Sequence, residues 1–172
     1  MALAFIPATD YRLPTKAVAA KILCADARSF FGFIFMPPAS RSGFGAPTPG
    51  EWMNEETAFF PFLPSGEDRS VLLNKDEVVV ISVDSTIAAN DVEGNLAELR
   101  PAGIARHVHV ECGGRSFEGT VFVQMPDSHS RMVDFLNTRE RFLCVHDGPM
   151  RHLVRKTAIT RVTEIDAEQE AA

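Results

Sequence analysis

The residues best able to do chemistry are five histidines, all in the second half of the chain. His107 and His109 stand two positions apart, as do Cys144 and His146, and residues two apart on a β-strand project from one face. Cysteine and histidine at that spacing could hold zinc. No Cys-x-x-Cys or His-Glu-x-x-His spacing accompanies them, so we expect no metal and no cofactor, with His107 and His109 as weak metal candidates only. The alternative is a solvated strand face for this pair and core packing for Cys144.

A nucleophilic site is equally hard to assemble from these residues. His146 and Asp147 are adjacent, but neighbouring residues on a strand point to opposite faces, so they are poorly placed to act together on a serine. No Gly-x-Ser-x-Gly motif is present, and the glycines at 43–45 and 113–114 do not open a helix as a phosphate-binding loop would. We therefore expect no catalytic residues and no enzyme activity.

Charge is unevenly distributed along a chain whose net charge is −6. Residues 18–83 carry five basic and eight acidic residues, a net charge of −3, whereas residues 104–163 carry nine basic and six acidic residues, a net charge of +3. Three interpretations remain open: a solvated surface, a contact between the basic and acidic halves within or between chains, and an RNA- or phosphate-binding face. The net charge disfavours the third. The basic-face candidates are Arg139, Arg141, Arg151, Arg155 and Lys156.

An internal duplication organises the chain. Arg28–Phe35 and Arg115–Phe122 share Arg, Ser, Phe, Gly and Phe at the same spacing, 87 residues apart. The offset then falls to 83 and 81 residues in two later blocks, as expected if loops differ in length between the copies. Those later blocks pair Glu51–Asn54 with Asp134–Asn137, and Leu72–Lys75 with Leu153–Lys156.

The duplication divides the chain into segments. Between the copies lies a mostly polar stretch with Gly94, Pro101 and Gly103, which could form one short helix over Ala88–Leu99. The acidic C-terminal residues lack apolar bulk, so we expect them to fray. The expected segments are an N-terminal extension at 1–17, a first β repeat at 18–83, a linker at 84–103, a second β repeat at 104–163 and a disordered tail at 164–172.

Each repeat has the pattern of about five short strands joined by tight turns. Val108 and Val110 alternate with polar residues, which is the period of a strand. Gly32 and Gly119 interrupt strand patterns, as at a bulge or sharp bend. A sheet this small must curl to bury one face and cover its edges. We therefore predict an all-β fold of two tandem five-stranded SH3-like or Sm-like barrels.

One strand differs from the rest. Val78–Val83 is apolar on both alternating faces, which predicts burial on both sides. It could lie between the two repeats, at an interface between chains, or under a loop. The interface candidates are Val79, Val80 and Ile81.

The second repeat resembles a family of small uncharacterised bacterial β domains. The residues that carry the resemblance are Gly119-Thr-Val, Arg131-Met-Val-Asp-Phe-Leu-Asn137 and the closing Lys156-x-x-Ile segment. The first repeat departs from the pattern, with a Gly/Pro-rich loop instead of the Arg-led stretch and Glu51 instead of Asp. The resemblance implies no activity. The Sm-like likeness concerns architecture alone, because the Arg-Gly of the Sm RNA pocket is absent.

Composition favours a cytoplasmic location. No apolar stretch approaches the roughly 18 residues that span a bilayer, and the first residues do not resemble a secretory signal. The three cysteines, an odd number, suggest reduced thiols. We expect a non-enzymatic interaction or scaffold protein, either a homo-oligomer or bound to a protein partner, with no membrane association. The alternatives are an Sm-like nucleic-acid binder that uses the basic second repeat, and a regulatory domain with a small-ligand pocket between the barrels.

Overall fold

The computed structural model describes residues 15–37, 47–84, 103–125 and 131–165, and it confirms the all-β prediction. The first repeat contains β1 (Lys16–Cys24), β2 (Ser29–Met36), helix α1 (Pro49–Asn54), β3 (Phe59–Pro64), β4 (Val71–Asn74) and β5 (Val78–Asp84). The second contains β6 (Ile104–Cys112), β7 (Arg115–Val123), helix α2 (Met132–Leu136), β8 (Phe142–Asp147), β9 (Met150–Arg155) and β10 (Ile159–Glu164). The expected linker helix, and most of the expected extension and tail, lie outside the described residues.

The strands form one antiparallel sheet in the order β10-β6-β7-β8-β9-β5-β1-β2-β3-β4. Each repeat contributes five consecutive strands in the same internal order, with its last strand at one end and its fourth strand at the other. The two sets meet where β5 of the first repeat pairs with β9 of the second. This junction is called the seam below. The strand order establishes one antiparallel sheet but not two separate barrels, which stay a prediction.

Two glycines allow strands of each repeat to approach closely. A Cβ atom at Gly32 would collide with the carbonyl oxygen of Leu63, and one at Gly119 would collide with that of His146. Only glycine therefore fits where the second strand of each repeat meets the third. The two collision partners are 83 residues apart, which is the offset of the second repeated block.

The β6–β7 turn also needs glycine, because Gly113 and Gly114 have φ angles of 54° and 72°. Positive φ at both central residues is the requirement of a two-residue type I′ hairpin turn.

Two apolar cores lie along the sheet, and each contains side chains from both repeats. The core of the first repeat, built around Ile34, Phe60 and Phe62, also holds Phe142 and Leu153 from the second. The core of the second repeat holds three side chains from the first, namely Leu23, Val79 and Val80. The repeats therefore share their cores across the seam.

A lysine completes the end of the helix in each repeat. The buried Nζ of Lys75 donates to the carbonyl oxygens of Trp52 at 3.2 Å and Glu55 at 3.1 Å, and to Oγ1 of Thr57 at 3.0 Å. Its position satisfies carbonyl groups that a helix end leaves without partners. Burial lowers the pKa of Lys75 to about 8.

Lys156 repeats this arrangement in the second half. Its Nζ donates to the carbonyl oxygen of Phe135 at 3.1 Å and to Oγ1 of Thr138 at 2.7 Å. Burial also lowers the pKa of Lys156. The repeated lysine is thus explained by the repeated helix.

Candidate protein-interaction surface

The interface candidates of the sequence lie in the seam. Val79, Val80 and Ile81 are only 5%, 2% and 0% exposed, respectively. Antiparallel pairing sets Val80 opposite Val154 and Ile81 opposite Leu153. The sequence left three locations open for this strand, and the structure shows the one between the two repeats. These side chains are therefore not an exposed surface for another chain.

Helix α1 adds a polar clamp to the seam through Asn54. The Nδ2 of Asn54 donates to the carbonyl oxygen of Phe142 at 3.1 Å. Its Oδ1 accepts from the backbone amides of Arg141 and Phe142, both at 2.8 Å. Through these three hydrogen bonds Asn54 holds the two repeats together. A Ser82 Oγ to His152 Nδ1 contact of 2.8 Å also crosses the seam.

Strand β4 forms one end of the sheet, and β10 forms the other. Among the described residues, β4 pairs only with β3. Apolar side chains on one side of the sheet are exposed here: Leu72 by 70% and Phe59 by 57%. Leu72 stands opposite Pro61, two positions from Phe59 along β3. Phe31 and Phe33 on β2 extend this side, exposed by 60% and 42%. We name the surface of Phe31, Phe33, Phe59 and Leu72 the β4 face.

The β4 face has a buried counterpart inside the chain. The offsets of 83 and 81 residues make Phe59 equivalent to Phe142 and Leu72 equivalent to Leu153. Those counterparts are 2% and 0% exposed, because they pack in the core of the first repeat beside the seam. The same residue types are therefore buried where β5 adds to the sheet and exposed where no described strand does.

A cleft of about 400 Å³ opens on the other side of the sheet, beside β4. Its apolar lining includes Phe30, Phe62 and Leu73. The equivalent residues of the second repeat are Phe117, Val145 and Val154, which pack with Leu23, Val79 and Val80 in the second core. The cleft is thus the open equivalent of a space that first-repeat residues fill at the seam. Charged residues also line it: Asp26, Arg28, Glu67 and Glu77.

The weak metal candidates face one carboxylate. His107 Nε2 lies 3.5 Å from Oε1 of Glu118, and His109 Nδ1 lies 3.9 Å from Oε2 of the same side chain. Within the described ranges, no three histidine, cysteine, aspartate or glutamate side chains group as a metal site would require. His129 lies outside those ranges.

Burial governs the other thiol and imidazole groups. It raises the pKa of Cys144 to about 11, so this sulfur is a protonated thiol near neutral pH. Burial, assisted by the Arg151 charge, lowers the pKa of His146 to about 4. It also lowers the pKa of His152, against the opposing influence of Asp147. His152 contacts Ser82 Oγ through Nδ1 at 2.8 Å, and its Nε2 lies 3.7 Å from Oδ2 of Asp147.

Two of the basic-face candidates, Arg141 and Arg151, are engaged in contacts within the chain. Arg141 forms an ion pair with Asp76 across the two repeats. Arg151 donates to the carbonyl oxygens of Gly148 and Met150 at 2.7 and 2.9 Å. Arg155 and Lys156 are half-buried, which leaves Arg139 as the fully exposed candidate. Nucleic-acid binding stays a prediction that these contacts do not favour. A small-ligand pocket between the barrels also stays a prediction, and the cleft described above lies beside β4.

Sequence reasoning missed the β4 face and the cleft. In the sequence, Leu72 was noted only as part of the repeated Leu72–Lys75 block. A signal was present in the last strands of the repeats, because the polar Thr160 and Arg161 stand where Val79 and Val80 stand in the first. That contrast indicates that one strand lies within the sheet and the other at its edge.

Comparison with known proteins finds no matching family model, no matching curated protein and no matching solved structure. None of the helices in the described ranges has the length and apolar character required to cross a membrane.

Proposed function

We propose that this chain is a non-enzymatic interaction protein, built from two barrel-like repeats, whose β4 face binds a β-strand of a protein partner. The observation that carries the proposal is the contrast between two equivalent surfaces. Phe142 and Leu153 are buried beside a paired strand, whereas Phe59 and Leu72 are exposed beside an edge.

Strand addition suits this edge physically. An added strand supplies main-chain hydrogen bonds, and pockets for its alternate side chains supply specificity. Edge strands of proteins that do not pair are protected by charged residues, prolines or bulges. Strand β4, with the sequence Val-Leu-Leu-Asn, has no charge, proline or bulge, and its one protection is its length of only four residues.

Both sides of the added strand would find apolar surface. The cleft with Phe62 and Leu73 lies on one side of the sheet, and the β4 face lies on the other. Burial of an exposed leucine or phenylalanine side chain contributes roughly 1.5–3 kcal/mol. Two such side chains, together with edge hydrogen bonds, are enough to offset part of the entropy lost on association.

A peptide that copies Val78–Asp84, with a solubilising tag, should bind the full-length chain at β4, because this strand fills the equivalent site in the seam. Titration followed by NMR should show saturable shifts of the Val71–Asn74 amides. A peptide with proline in the position of Ile81 cannot pair continuously and serves as the control. Absence of binding, or binding that survives Leu72→Asp, would contradict the proposal.

A further inference from the structure

We propose that the partner strand is β10 of a second copy of this chain, so that copies join head to tail through a repetition of the seam. This inference rests on the proposed function of the β4 face and names its occupant. Strand β10 is the repeat equivalent of β5, and among the described strands it pairs only with β6.

The two strands match in detail. Each follows a 3₁₀ turn that begins with the repeated lysine, Lys75 or Lys156. Each also skips its second residue in pairing with the first strand of its repeat: Val79 is skipped opposite β1, and Thr160 opposite β6. Strand β10 therefore has the backbone shape that β5 brings to the seam.

The repeat offset of 81 residues relates β5 to β10 and β9 to β4, so it also predicts the register in which β10 of one copy would pair with β4 of the next. Ile81 opposite Leu153 becomes Val162 of one copy opposite Leu72 of the next. Val162 is half-buried and Leu72 is 70% exposed, so the transferred pair is apolar on both sides. This pairing would cover the most exposed apolar residue of the β4 face.

The asparagine clamp can be transferred in the same way. Asn137 is equivalent to Asn54, which binds the backbone of Phe142 in the seam. Asn137 is exposed, and within the described residues its Nδ2 donates to the carbonyl oxygen of Val133, four positions earlier, at 2.9 Å. We call the proposed junction between β10 of one copy and β4 of the next the second seam. There Asn137 would lie opposite the backbone of Phe59, the equivalent of Phe142.

Charge distinguishes the second seam from the first. Arg161 takes the place of Val80, and the transferred register sets it opposite Leu73 in the lining of the cleft. Its side chain is 67% exposed and lies 3.8 Å from Glu111. The charged lining of the cleft is predominantly acidic, with Asp26, Glu67 and Glu77 against Arg28. The positive charge of Arg161 suits this acidic lining, and the attraction between them weakens as the salt concentration rises.

The same charges disfavour pairing of two β4 edges with each other, because two acidic rims would then meet. A head-to-tail contact uses different surfaces on the two copies and leaves one free end of each kind. Association can therefore continue until a ring closes or a filament grows.

The test blocks one end at a time. Leu72→Asp blocks the β4 face and Val162→Asp blocks β10, with Ile104→Asp as a control at an exposed apolar residue of β6 that lies outside the β10–β6 pairing. Light scattering on purified protein should give more than one chain for the parent and the control. Each blocked variant alone should have the mass of one chain. An equimolar mixture should form two-chain particles and nothing larger, because only one productive contact remains.

Several outcomes would overturn the inference. A parent chain that is monomeric at concentrations on the order of 100 μM, or a mixture of folded blocked variants that stays monomeric, would exclude head-to-tail joining. A Val162→Asp variant of parental mass would mean that β10 is not the occupant. If Val162→Asp lowers the unfolding temperature, Asn137→Ala, at an exposed side chain, replaces it and should raise the dissociation constant at least about tenfold. Peptide binding at β4 is measured separately, so failure here leaves the proposed function standing.

Discussion

Replacement of Val80 by glutamate is expected to unfold both repeats together. Val80 lies on a strand of the first repeat, and its side chain lies in the core of the second. Glutamate there would bury a charge without a partner, which costs on the order of 4 kcal/mol. Urea unfolding followed by far-ultraviolet circular dichroism and by Trp52 fluorescence should show one common transition at much lower urea.

The matched control is Arg161→Glu, because Arg161 is the repeat equivalent of Val80 on an exposed edge. At low protein concentration this change should alter the free energy of unfolding by only about 0.5 kcal/mol. Survival of the Trp52 transition in Val80→Glu, with loss of only part of the dichroism signal, would show that the first repeat folds independently of the seam.

Replacement of Lys75 by methionine is expected to lower the free energy of unfolding by about 3 kcal/mol. The change removes the Lys75 donor from the carbonyl oxygen of Glu55 and from that of Trp52, which keeps the backbone amide of Glu55 as a donor, and an unsatisfied buried acceptor costs about 1–3 kcal/mol. Lys156→Met is the matched control, and its effect should be smaller because Lys156 is only half-buried. Chemical denaturation at pH 7 measures both, and equal effects would contradict this account of Lys75.

The pH dependence of stability gives a second readout for Lys75. Its pKa of about 8 in the folded chain lies below the ordinary value of 10.5, so the unfolded chain binds more protons between these two values. The contribution of Lys75 therefore makes the folded state more stable as pH rises from about 8 to about 10.5. The Lys75→Met chain should lack this component of the rise, and an unchanged pH profile would contradict the burial of a titrating amine.

Much of the fold could be predicted from local pattern. The two-sided apolar pattern of Val78–Val83 indicated burial on both faces because side-chain alternation is a local property of a strand. The repeated positions of Lys75 and Lys156 indicated equivalent structural surroundings. The distinct fate of Asn54, which contacts the other repeat, could not be predicted because its partners are 87 and 88 residues away.

The candidate site could not be predicted for a related reason. Phe59 and Phe142 are the same residue type in equivalent positions, yet one is exposed and the other buried. The difference comes from the strand that pairs beside them, and strand neighbours in a sheet are not encoded in the pattern of either segment. Five basic residues were likewise considered as one face, although Arg141 forms an ion pair with Asp76 of the first repeat and Arg151 donates to two backbone carbonyl oxygens.

The central claim is that the β4 face is occupied by a protein strand in the cell. The most direct test places a photo-crosslinking amino acid at position 72 in the cell that makes the protein, with position 104 as the exposed control. We expect a discrete crosslinked product at position 72 that is absent at position 104, with twice the chain mass if the partner is a second copy. Equal and weak crosslinking at the two positions would contradict the claim.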